Sequence, residues 1–320
     1  MTLRIGLLGA SRVAVYAMIA AAKDVAGVEI VAVAARDLER ARAYAKQHGI
    51  AHAFGSYEAL IAADGIDAVY NGLPPNAHAL WSIAAVQAGK PVLCEKPFAL
   101  TIADVEAMLA AEARTGSLIM EAQHTHYHPR HRRIREIVQS GMLGQIRHVE
   151  ARFDVPIPQT PDELRWDGAV GGGALWDLGV YPVYWLRASM GEEPQLVSAR
   201  HSLNGKGADI WTEAEFTSGS GAQGSISCSM ERNFAAWLHI EGDHGSLHVD
   251  NPLSPKEQRL ELTRDGVMTE EQFTSRPTYA FQLEAFCDAV LHGQPVPTRG
   301  EDSLATIRLL SAIRKLAMKE

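Results

Sequence analysis

The fold is decided by the stretch Arg4-Ile5-Gly6-Leu7-Leu8-Gly9-Ala10-Ser11-Arg12-Val13-Ala14. Its mostly apolar first half predicts a strand, and the glycine that follows directly predicts a tight turn into a helix. The turn is a G-x-S-x-x-A variant of the dinucleotide fingerprint, in which small residues let a pyrophosphate and the helix come close. Because Ser11 replaces the middle glycine, a strand, turn and helix without a cofactor remain an alternative. The fingerprint predicts cofactor contacts from Gly9, Ser11, Arg12 and Val13.

Short apolar runs alternate with longer helical stretches up to about residue 123. The helical spacing is clearest where Ile102, Val105 and Met108 repeat after Thr101, a candidate N-cap that has Asp104 three residues further on. The strand candidates in this part of the chain are residues 4–8, 29–34, 68–71, 91–93 and 118–120. Alternating strands and helices predict an α/β domain with a parallel sheet that is covered on both faces.

The apolar period changes to two beyond about residue 145. Val149, Ala151 and Phe153 alternate with polar residues, which predicts a half-buried and largely antiparallel sheet. Period-two alternation also marks residues 210–216, and further strands are predicted over residues 196–200, 223–229, 238–241 and 246–249, before helices over 279–291 and 302–318. The change of period divides the chain into domains of residues 1–123 and 124–320, with the last helices able to pack back on the first domain.

Composition excludes several classes of protein. The chain has 320 residues, is 47% hydrophobic and carries 30 Lys+Arg against 38 Asp+Glu, so its formal net charge is −8. This balance, with no basic tract, makes nucleic acid an unsuitable partner. Three dispersed cysteines (Cys94, Cys228 and Cys287) indicate neither a disulfide framework nor a cysteine-rich zinc site, and they favour the cytoplasm. The first uncharged run spans only residues 13–22, which predicts no membrane helix and no signal peptide.

The end of the second predicted strand bears on the choice of dinucleotide. A site for NAD places a carboxylate there, whereas a site for NADP supplies arginine for the 2′-phosphate. Ala35 stands at the expected place of the carboxylate, and Arg36 and Arg40 follow one helical turn apart. The pattern therefore favours NADP over NAD. The alternative is that Asp37 caps a helix and the arginines are ordinary surface charges.

Further motifs follow in order along the chain. Cys94-Glu95-Lys96-Pro97 comes directly after a predicted strand, at the edge where parallel sheets bind ligands. It is preceded by Pro74-Pro75-Asn76-Ala77-His78 and followed by Gly171-Gly172-Gly173-Ala174-Leu175-Trp176-Asp177-Leu178-Gly179-Val180-Tyr181. With the first turn, these motifs resemble the glucose-fructose oxidoreductase/inositol dehydrogenase (Gfo/Idh/MocA) family over essentially the whole chain. The branch that they resemble most is the dimeric dihydrodiol dehydrogenases.

The resemblance implies an N-terminal Rossmann domain and a C-terminal α+β domain with a large, mostly antiparallel open sheet. The face of that sheet commonly mediates oligomers in the family, so a homodimer or homotetramer is expected. The resemblance also implies that Lys96, Asp177 and Tyr181 are catalytic. The cofactor contacts that it implies come from Leu73, where the family usually has threonine, and from Pro74, Asn76, His78 and Glu95.

The spacing of Asp177 and Tyr181 agrees with a shared site. They are four residues apart, so they lie on one helical face unless Gly179 breaks the helix. A phenol is a poor proton carrier at neutral pH, but the ammonium of Lys96 would favour the phenolate. In oxidation, a substrate hydroxyl would lose its proton to Tyr181 or Lys96. The plainer alternatives are a helix cap for Asp177 and a core aromatic for Tyr181.

Two further segments are candidates for substrate binding. By resemblance, His126 and Tyr127 lie at the mouth of the substrate pocket. Arg165-Trp166, just before the glycine run, is a further candidate, because the indole of Trp166 could stack on a sugar or alicyclic ring. Burial of Trp166 in the core is the alternative. His124, His126 and His128 would share a face of an extended segment, which leaves a zinc site as a minor alternative, although no metal is assigned.

The sequence thus predicts an NADP-dependent oxidoreductase that acts on a small molecule. The expected group is a secondary alcohol or hemiacetal of a sugar or polyol, or a cyclic diol. The alternatives are a reductase of other carbonyls, imines or tetrapyrroles, a metal hydrolase and a non-catalytic NADP(H) sensor.

Overall fold

The computed structural model describes residues 2–254, 256 and 259–318. They form two compact units, each built around its own sheet. The first unit contains the described residues of Met1–Tyr127 and Pro277–Ile307, and the second contains those of His128–Arg276 and Arg308–Glu320. The first unit thus extends past residue 123 and includes a later segment, unlike the contiguous division drawn from the change of period.

The first unit has a parallel sheet of six strands. They are β1 (Leu3–Leu8), β2 (Val28–Ala34), β3 (His52–Phe54), β4 (Ala68–Asn71), β5 (Val92–Glu95) and β6 (Ile119–Ala122). Their order is β3-β2-β1-β4-β5-β6, and all neighbours are parallel. The predicted parallel sheet is confirmed. Because β2 and β4 lie on opposite sides of β1, the carboxyl ends of β1 and β4 form the crevice where such sheets bind ligands.

The second unit has a mostly antiparallel sheet of eight strands. They are β7 (Ile146–Asp154), β8 (Gln195–Leu203), β9 (Asp209–Thr217), β10 (Gln223–Ser229), β11 (Ala235–Gly242), β12 (Gly245–Asp250), β13 (Arg259–Arg264) and β14 (Val267–Gln272). Their order is β14-β13-β12-β11-β7-β10-β9-β8, and β7 with β10 is the parallel pair. This architecture confirms the predicted fold class.

The helices follow the strands in the expected alternation. They are α1 (Arg12–Ala14), α2 (Leu38–His48), α3 (Tyr57–Ala62), α4 (His78–Gln87), α5 (Ile102–Thr115), α6 (His124–Tyr127), α7 (Pro129–Gln139), α8 (Val180–Ser189), α9 (Thr278–His292) and α10 (Glu301–Ala317). Thr101 caps α5 as predicted, because its Oγ1 accepts the N–H of Asp104 over 3.0 Å. None of the described helices is long and apolar enough to cross a membrane.

Burial explains why the second sheet shows period two. Val149 and Ala151 of β7 are fully buried, and α8 packs on β7, β10 and β11. Glu150 and Arg152, on the opposite face of β7, are only partly buried. One face of this sheet therefore holds the core of the second unit, and the other carries polar side chains.

The strands that the apolar pattern misses lie at or next to sheet edges. β3 is three residues long, and β14 is mostly exposed at the other sheet's edge. β13, its neighbour, was also not predicted. Short or exposed strands form because a neighbour offers its backbone groups, so they need little apolar signal of their own.

Candidate functional site

The turn after β1 requires glycine at position 9 and packs closely against the segment after β4. Gly9 has φ +94°, a left-handed value that residues with a Cβ rarely adopt. A Cβ on Gly9 would lie 3.0 Å from Leu73 Cδ2 and 3.5 Å from the carbonyl oxygen of Gly72. Ser11 ends the turn, because its Oγ accepts the N–H of Ala14 over 3.3 Å and so caps the helix.

These features fit a bound dinucleotide. The helical conformation continues from α1 through a π-helical turn, Val15–Ala20, and a short 3-10 turn, Ala21–Lys23, so its amino end presents backbone N–H groups that attract phosphate. Ser11 is compatible with this function because its hydroxyl serves as the cap. Val13 is partly buried against the core of the first unit, whereas Arg12 is exposed.

Of the two predicted arginines, Arg40 contacts this turn directly. Arg40 Nη2 donates to the carbonyl oxygen of Ala10 over 3.2 Å. Burial raises the pKa of Tyr57. The positive charges of Arg36 and Arg40 oppose that rise, because both guanidinium groups lie near this phenol. Asp37 caps α2 by accepting the N–H of Arg40 over 3.0 Å. Asp37 is therefore a helix cap, as the alternative interpretation expects. This cap does not prevent Arg40 from reaching the fingerprint turn.

His78 is fully buried behind the end of β4. Its Nδ1 lies 2.9 Å from the carbonyl oxygen of Pro97, and its Nε2 lies 2.8 Å from that of Leu73. Burial lowers the pKa of His78, although its bonds to carbonyl oxygens oppose the shift. The ring thus joins the segment after β4 to the segment after β5. Pro74 is partly buried and Asn76 is exposed on the same segment as Leu73.

Glu95 and Lys96 end β5 in a network of polar contacts. The hydroxyl of Tyr70 donates to Glu95 Oε1 over 2.8 Å, and the backbone N–H of Lys96 donates to Glu95 Oε2 over 3.3 Å. Burial and the neighbouring Glu95 carboxylate raise the pKa of Tyr70 well above its ordinary value. Glu95 thereby fixes the backbone of Lys96, whose side chain is partly buried.

Asp177 and Tyr181 lie in the second unit on one continuous helical stretch. Residues Leu175–Gly179 form a π-helical turn that leads into α8. Gly179 therefore does not break the helix, but the first turn has i to i+5 hydrogen bonds instead of the α-helical pattern. Such turns recur at functional sites. Tyr181 is 4% exposed, and the ring of Phe153 packs edge-on against it with centroids 5.7 Å apart.

Arg165 lies between two carboxylates of the second unit. It forms a bidentate pair with Glu163 at 2.9 and 2.8 Å, and its Nη1 lies 3.6 Å from Asp177 Oδ2. Trp166 is 6% exposed and Trp176 is 3% exposed. The buried indole N–H groups of both have no acceptor among the described residues.

The histidine segment does not form the extended face that the zinc alternative requires. Residues 124–127 form α6, and His124 Nδ1 lies 2.7 Å from Thr278 Oγ1. His128 caps α7 with Nδ1 and binds the carbonyl oxygen of Thr274 with Nε2. His126 stacks edge-on with Tyr127. In the part of the chain that the structure describes, no three His, Cys, Asp or Glu residues could hold a metal ion.

The hydroxyl of Tyr127 is already bonded within the first unit. It lies 2.6 Å from Thr298 Oγ1, and burial raises the pKa of the phenol far above its ordinary value. Its ring packs against the core of the first unit.

Sequence reasoning missed residues that hold the candidate site in place. Asp209 Oδ2 accepts the N–H of Leu175 over 2.7 Å at the start of the π-helical turn, and Glu163 orients Arg165. Asp209 acts on a residue 34 positions away, and Glu163 acts on Arg165 from within the same loop. Neither belongs to a recognisable motif. An aspartate at the start of an otherwise alternating strand is the signal that could have found Asp209.

Together these features define a class of protein. A doubly wound sheet with a glycine turn, a lysine after β5 and a separate sheet unit with Asp177 and Tyr181 are the parts of a two-domain dinucleotide oxidoreductase. Residues 3–123 match the oxidoreductase family with an NAD-binding Rossmann fold, Gfo/Idh/MocA. Residues 131–248 match a C-terminal domain of the same family. The chain belongs to the Gfo/Idh/MocA family, and it is an NAD(P)-dependent oxidoreductase.

Characterised relatives act on different substrates. A D-xylose 1-dehydrogenase (NADP⁺) of Haloferax volcanii is 31% identical and covers 98% of this chain and 96% of its own. The trans-1,2-dihydrobenzene-1,2-diol dehydrogenase of Sus scrofa is 33% identical over 70% of this chain and 67% of its own. Among solved structures, the 3-ketoreductase KijD10 of Actinomadura kijaniata, in complex with NADP and TDP-benzene, has a TM-score of 0.91. It is 29% identical and covers 99% of this chain and 98% of its own.

Proposed function

We propose that this protein transfers a hydride between NADP(H) and a secondary alcohol or hemiacetal of a sugar, a polyol or a cyclic diol. The observation that carries the choice of NADP is the contact of Arg40 with the carbonyl oxygen of Ala10. It keeps a guanidinium group beside the fingerprint turn, where β2 ends in alanine and not in a carboxylate. The xylose dehydrogenase and KijD10, both named with NADP, support this choice.

The cofactor site uses residues of the first unit. The turn at Gly9, Ser11 and the amino end of the following helix would receive the pyrophosphate, and Arg36 and Arg40 would hold the 2′-phosphate. Leu73, Pro74, Asn76, Glu95 and His78 would shape the nicotinamide side, with His78 acting through the two carbonyl oxygens that it binds. When bound, the dinucleotide supplies the hydride acceptor in its oxidised form and the donor in its reduced form.

Lys96, Asp177 and Tyr181 are the proposed catalytic residues. Tyr181 or Lys96 takes the proton of the substrate hydroxyl during oxidation and returns it during reduction. Asp177 orients the hydroxyl, and the guanidinium group of Arg165 lies 3.6 Å from its carboxylate. The cofactor and the named substrates of the relatives are consistent with these roles.

A sugar or polyol is favoured over a cyclic diol as the first substrate to test. The xylose dehydrogenase is similar over 98% of this chain, whereas the dihydrodiol dehydrogenase is similar over 70%. Trp166, Arg165, His126 and Tyr127 are the proposed substrate contacts.

Two variants test the catalytic assignment. Aldoses, inositols and cyclic diols are screened with NADP⁺, and the matching ketones and lactones with NADPH. Lys96→Ala should lower kcat at least about 1,000-fold while NADPH affinity changes less than about threefold, since general acid–base groups contribute about 10²–10⁴-fold. Tyr181→Phe should lower kcat less and alter the pH profile.

Two control variants accompany these changes. They are Lys46→Ala, on the exposed surface of α2, and Tyr184→Phe, on α8. Unchanged turnover in Lys96→Ala would refute the role of this lysine.

A further inference from the structure

The π-helical turn Leu175–Gly179 begins against a buried carboxylate of the second sheet. Asp209 is the first residue of β9 and is 5% exposed. Its Oδ2 accepts two hydrogen bonds, one from the backbone N–H of Leu175 over 2.7 Å and one from Thr212 Oγ1 over 2.8 Å. Backbone N–H groups at the amino end of a helix need acceptors from outside the helix. Asp209 supplies one of these acceptors to the turn that carries Asp177.

The second oxygen of this carboxylate lies against Gly173. A Cβ on Gly173 would lie 2.1 Å from Asp209 Oδ1, so no side chain fits there while Asp209 is in place. Gly173 also has φ +127°, a value that glycine adopts far more readily than other residues. The carbonyl oxygen of Gly173 accepts the N–H of Asp177 over 3.0 Å. Asp209 therefore lies against the residue to which the backbone of Asp177 is bonded.

The other end of the turn lies directly on the sheet. A Cβ on Gly179 would lie 2.9 Å from Cys228 Sγ, and the thiol of Cys228 lies 3.6 Å from the carbonyl oxygen of Thr212. Close packing of this kind limits how near the turn comes to the sheet. The hydrogen bond from Leu175 to Asp209 also fixes its direction, because hydrogen bonds weaken steeply when they bend.

The loop before the glycine run has an anchor of its own. Asn204, in the connection between β8 and β9, donates from Nδ2 to the carbonyl oxygen of Trp166 over 2.8 Å. Its Oδ1 accepts two backbone N–H groups of the same connection. Loss of the Asp209 carboxylate would therefore leave Trp166, a proposed substrate contact, tied to the sheet. The expected effect falls on the turn that carries Asp177.

We propose that Asp209 is a positioning residue, which holds Asp177 and Tyr181 in their catalytic orientation by fixing the amino end of their helical stretch. This inference rests on the proposed function, in which both residues are catalytic. Asp177 is two residues from Leu175, and Tyr181 follows on the same continuous stretch, so a shift at its start is passed to both side chains. A misplacement of about 1 Å can cost about 100-fold in rate. Asp209 acts through the backbone of Leu175 and is not itself a catalytic residue.

Hydrogen exchange of the Leu175 amide tests the contact without any substrate. The probe is the full-length protein labelled with ¹⁵N-leucine. Asp209→Ala removes the acceptor and should lower protection of Leu175 at least about tenfold. Asp209→Asn keeps a side-chain oxygen as acceptor and should leave protection within about threefold of the wild type. Unchanged protection of Leu175 in Asp209→Ala would overturn the proposal.

Thr212 provides a matched control on the same strand. It is fully buried, and its hydroxyl donates to the same oxygen of Asp209. Thr212→Val removes this donor but leaves the carboxylate that accepts the N–H of Leu175, so protection of Leu175 should stay within about threefold of the wild type. If Thr212→Val lowers that protection as much as Asp209→Ala does, the effect is general loosening of the sheet and the proposal is refuted.

Kinetics then separate positioning from a purely structural function. With the substrate found in the screen, Asp209→Ala should lower kcat about tenfold, with KM within about threefold and NADPH affinity within about twofold of the wild type. Asp209→Asn should restore at least half of the wild-type kcat, and Thr212→Val should keep kcat within about twofold. A wild-type kcat in Asp209→Ala, with Tyr181→Phe impaired, would overturn the positioning role alone.

Failure of the proposed function would look different. Wild-type kcat in both Asp177→Ala and Tyr181→Phe would refute the catalytic roles of these residues, whatever the exchange of Leu175 shows. Should Asp209→Ala fail to fold, Asp209→Glu decides the matter, because it keeps a carboxylate but moves it by one methylene group. Asp209→Glu should lower kcat at least about fivefold with unchanged NADPH affinity, and a wild-type kcat would overturn the proposal.

Discussion

Gly9 in the first unit and Gly172 in the second meet different demands on space. A Cβ on Gly9 would meet a methyl group of Leu73 at 3.0 Å, whereas a Cβ on Gly172 would lie 2.6 Å from the carbonyl oxygens of Arg165 and Asp167. A leucine methyl can move, but backbone oxygens of a packed loop cannot do so cheaply. The first glycine allows a left-handed turn beside a movable side chain, and the second lets the backbone fold onto itself. A glycine motif alone does not tell these cases apart.

The largest effect is expected at Gly172. Gly172→Ala should lower the free energy of unfolding by about 3 kcal/mol, because the new methyl group overlaps backbone oxygens. Urea unfolding followed by circular dichroism measures the change. Gly205→Ala is the matched control in the same unit, since a Cβ there would meet no atom within 4 Å. Equal stability of both variants would remove the distinction between the two glycines.

A smaller but more specific effect is expected at Gly9. Gly9→Ala should cost roughly 1–2 kcal/mol of stability from its left-handed backbone, and it should also weaken NADPH binding about tenfold. Gly49→Ala is the control, because Gly49 has φ +71° and nothing within 4 Å of its added Cβ. It should show a similar stability loss with unchanged NADPH affinity. If both variants bind NADPH as the wild type does, the space at Gly9 does not serve the cofactor.

The arginines beside the same turn should affect selectivity and not stability. Replacement of Arg36 and Arg40 by alanine is expected to weaken NADPH about tenfold and NADH less than twofold, because NADH has no 2′-phosphate. Fluorescence titration with each dinucleotide gives both constants. Arg42→Ala, on the same helix but paired with Glu39, controls for the loss of a surface charge. Equal weakening of NADH and NADPH would contradict the clamp.

The smallest effect concerns the second unit, where polar side chains serve the fold. Burial lowers the pKa of His128 to about 4, so between pH 6.5 and 4 the unfolded chain binds a proton that the folded chain excludes. Stability from this group is therefore complete above pH 6.5 and is lost on acidification. His128→Asn keeps a helix cap and should flatten the slope by less than about 1 kcal/mol per pH unit. Denaturant unfolding from pH 4 to 7 measures the slope of stability against pH, with His201→Asn as control. Identical slopes for His128→Asn and the wild type would argue against the lowered pKa of His128.

Local signals predicted much of this molecule. The parallel sheet and the strand over residues 223–229 were predicted because apolar period and turn residues act over a few positions. The edge strands and the π-helical turn at Leu175–Gly179 were not, because each depends on hydrogen bonds to distant partners or on packing. The histidine segment shows the same limit. Its spacing suited an extended metal site, but residues 124–127 form a helix, and the rings of His124 and His128 bind separate partners.

The sequence by itself determined the family, the glycine turn with its two arginines and the residues proposed for catalysis, since these are ordered motifs of fixed spacing. Only the tertiary structure decided which atoms hold those motifs. Asp209 supports the turn before α8 by accepting the N–H of Leu175, which is 34 residues away. Single contacts of this kind join residues that are far apart along the chain. They exist only when the sheets align their strands, so no local pattern of residues encodes them.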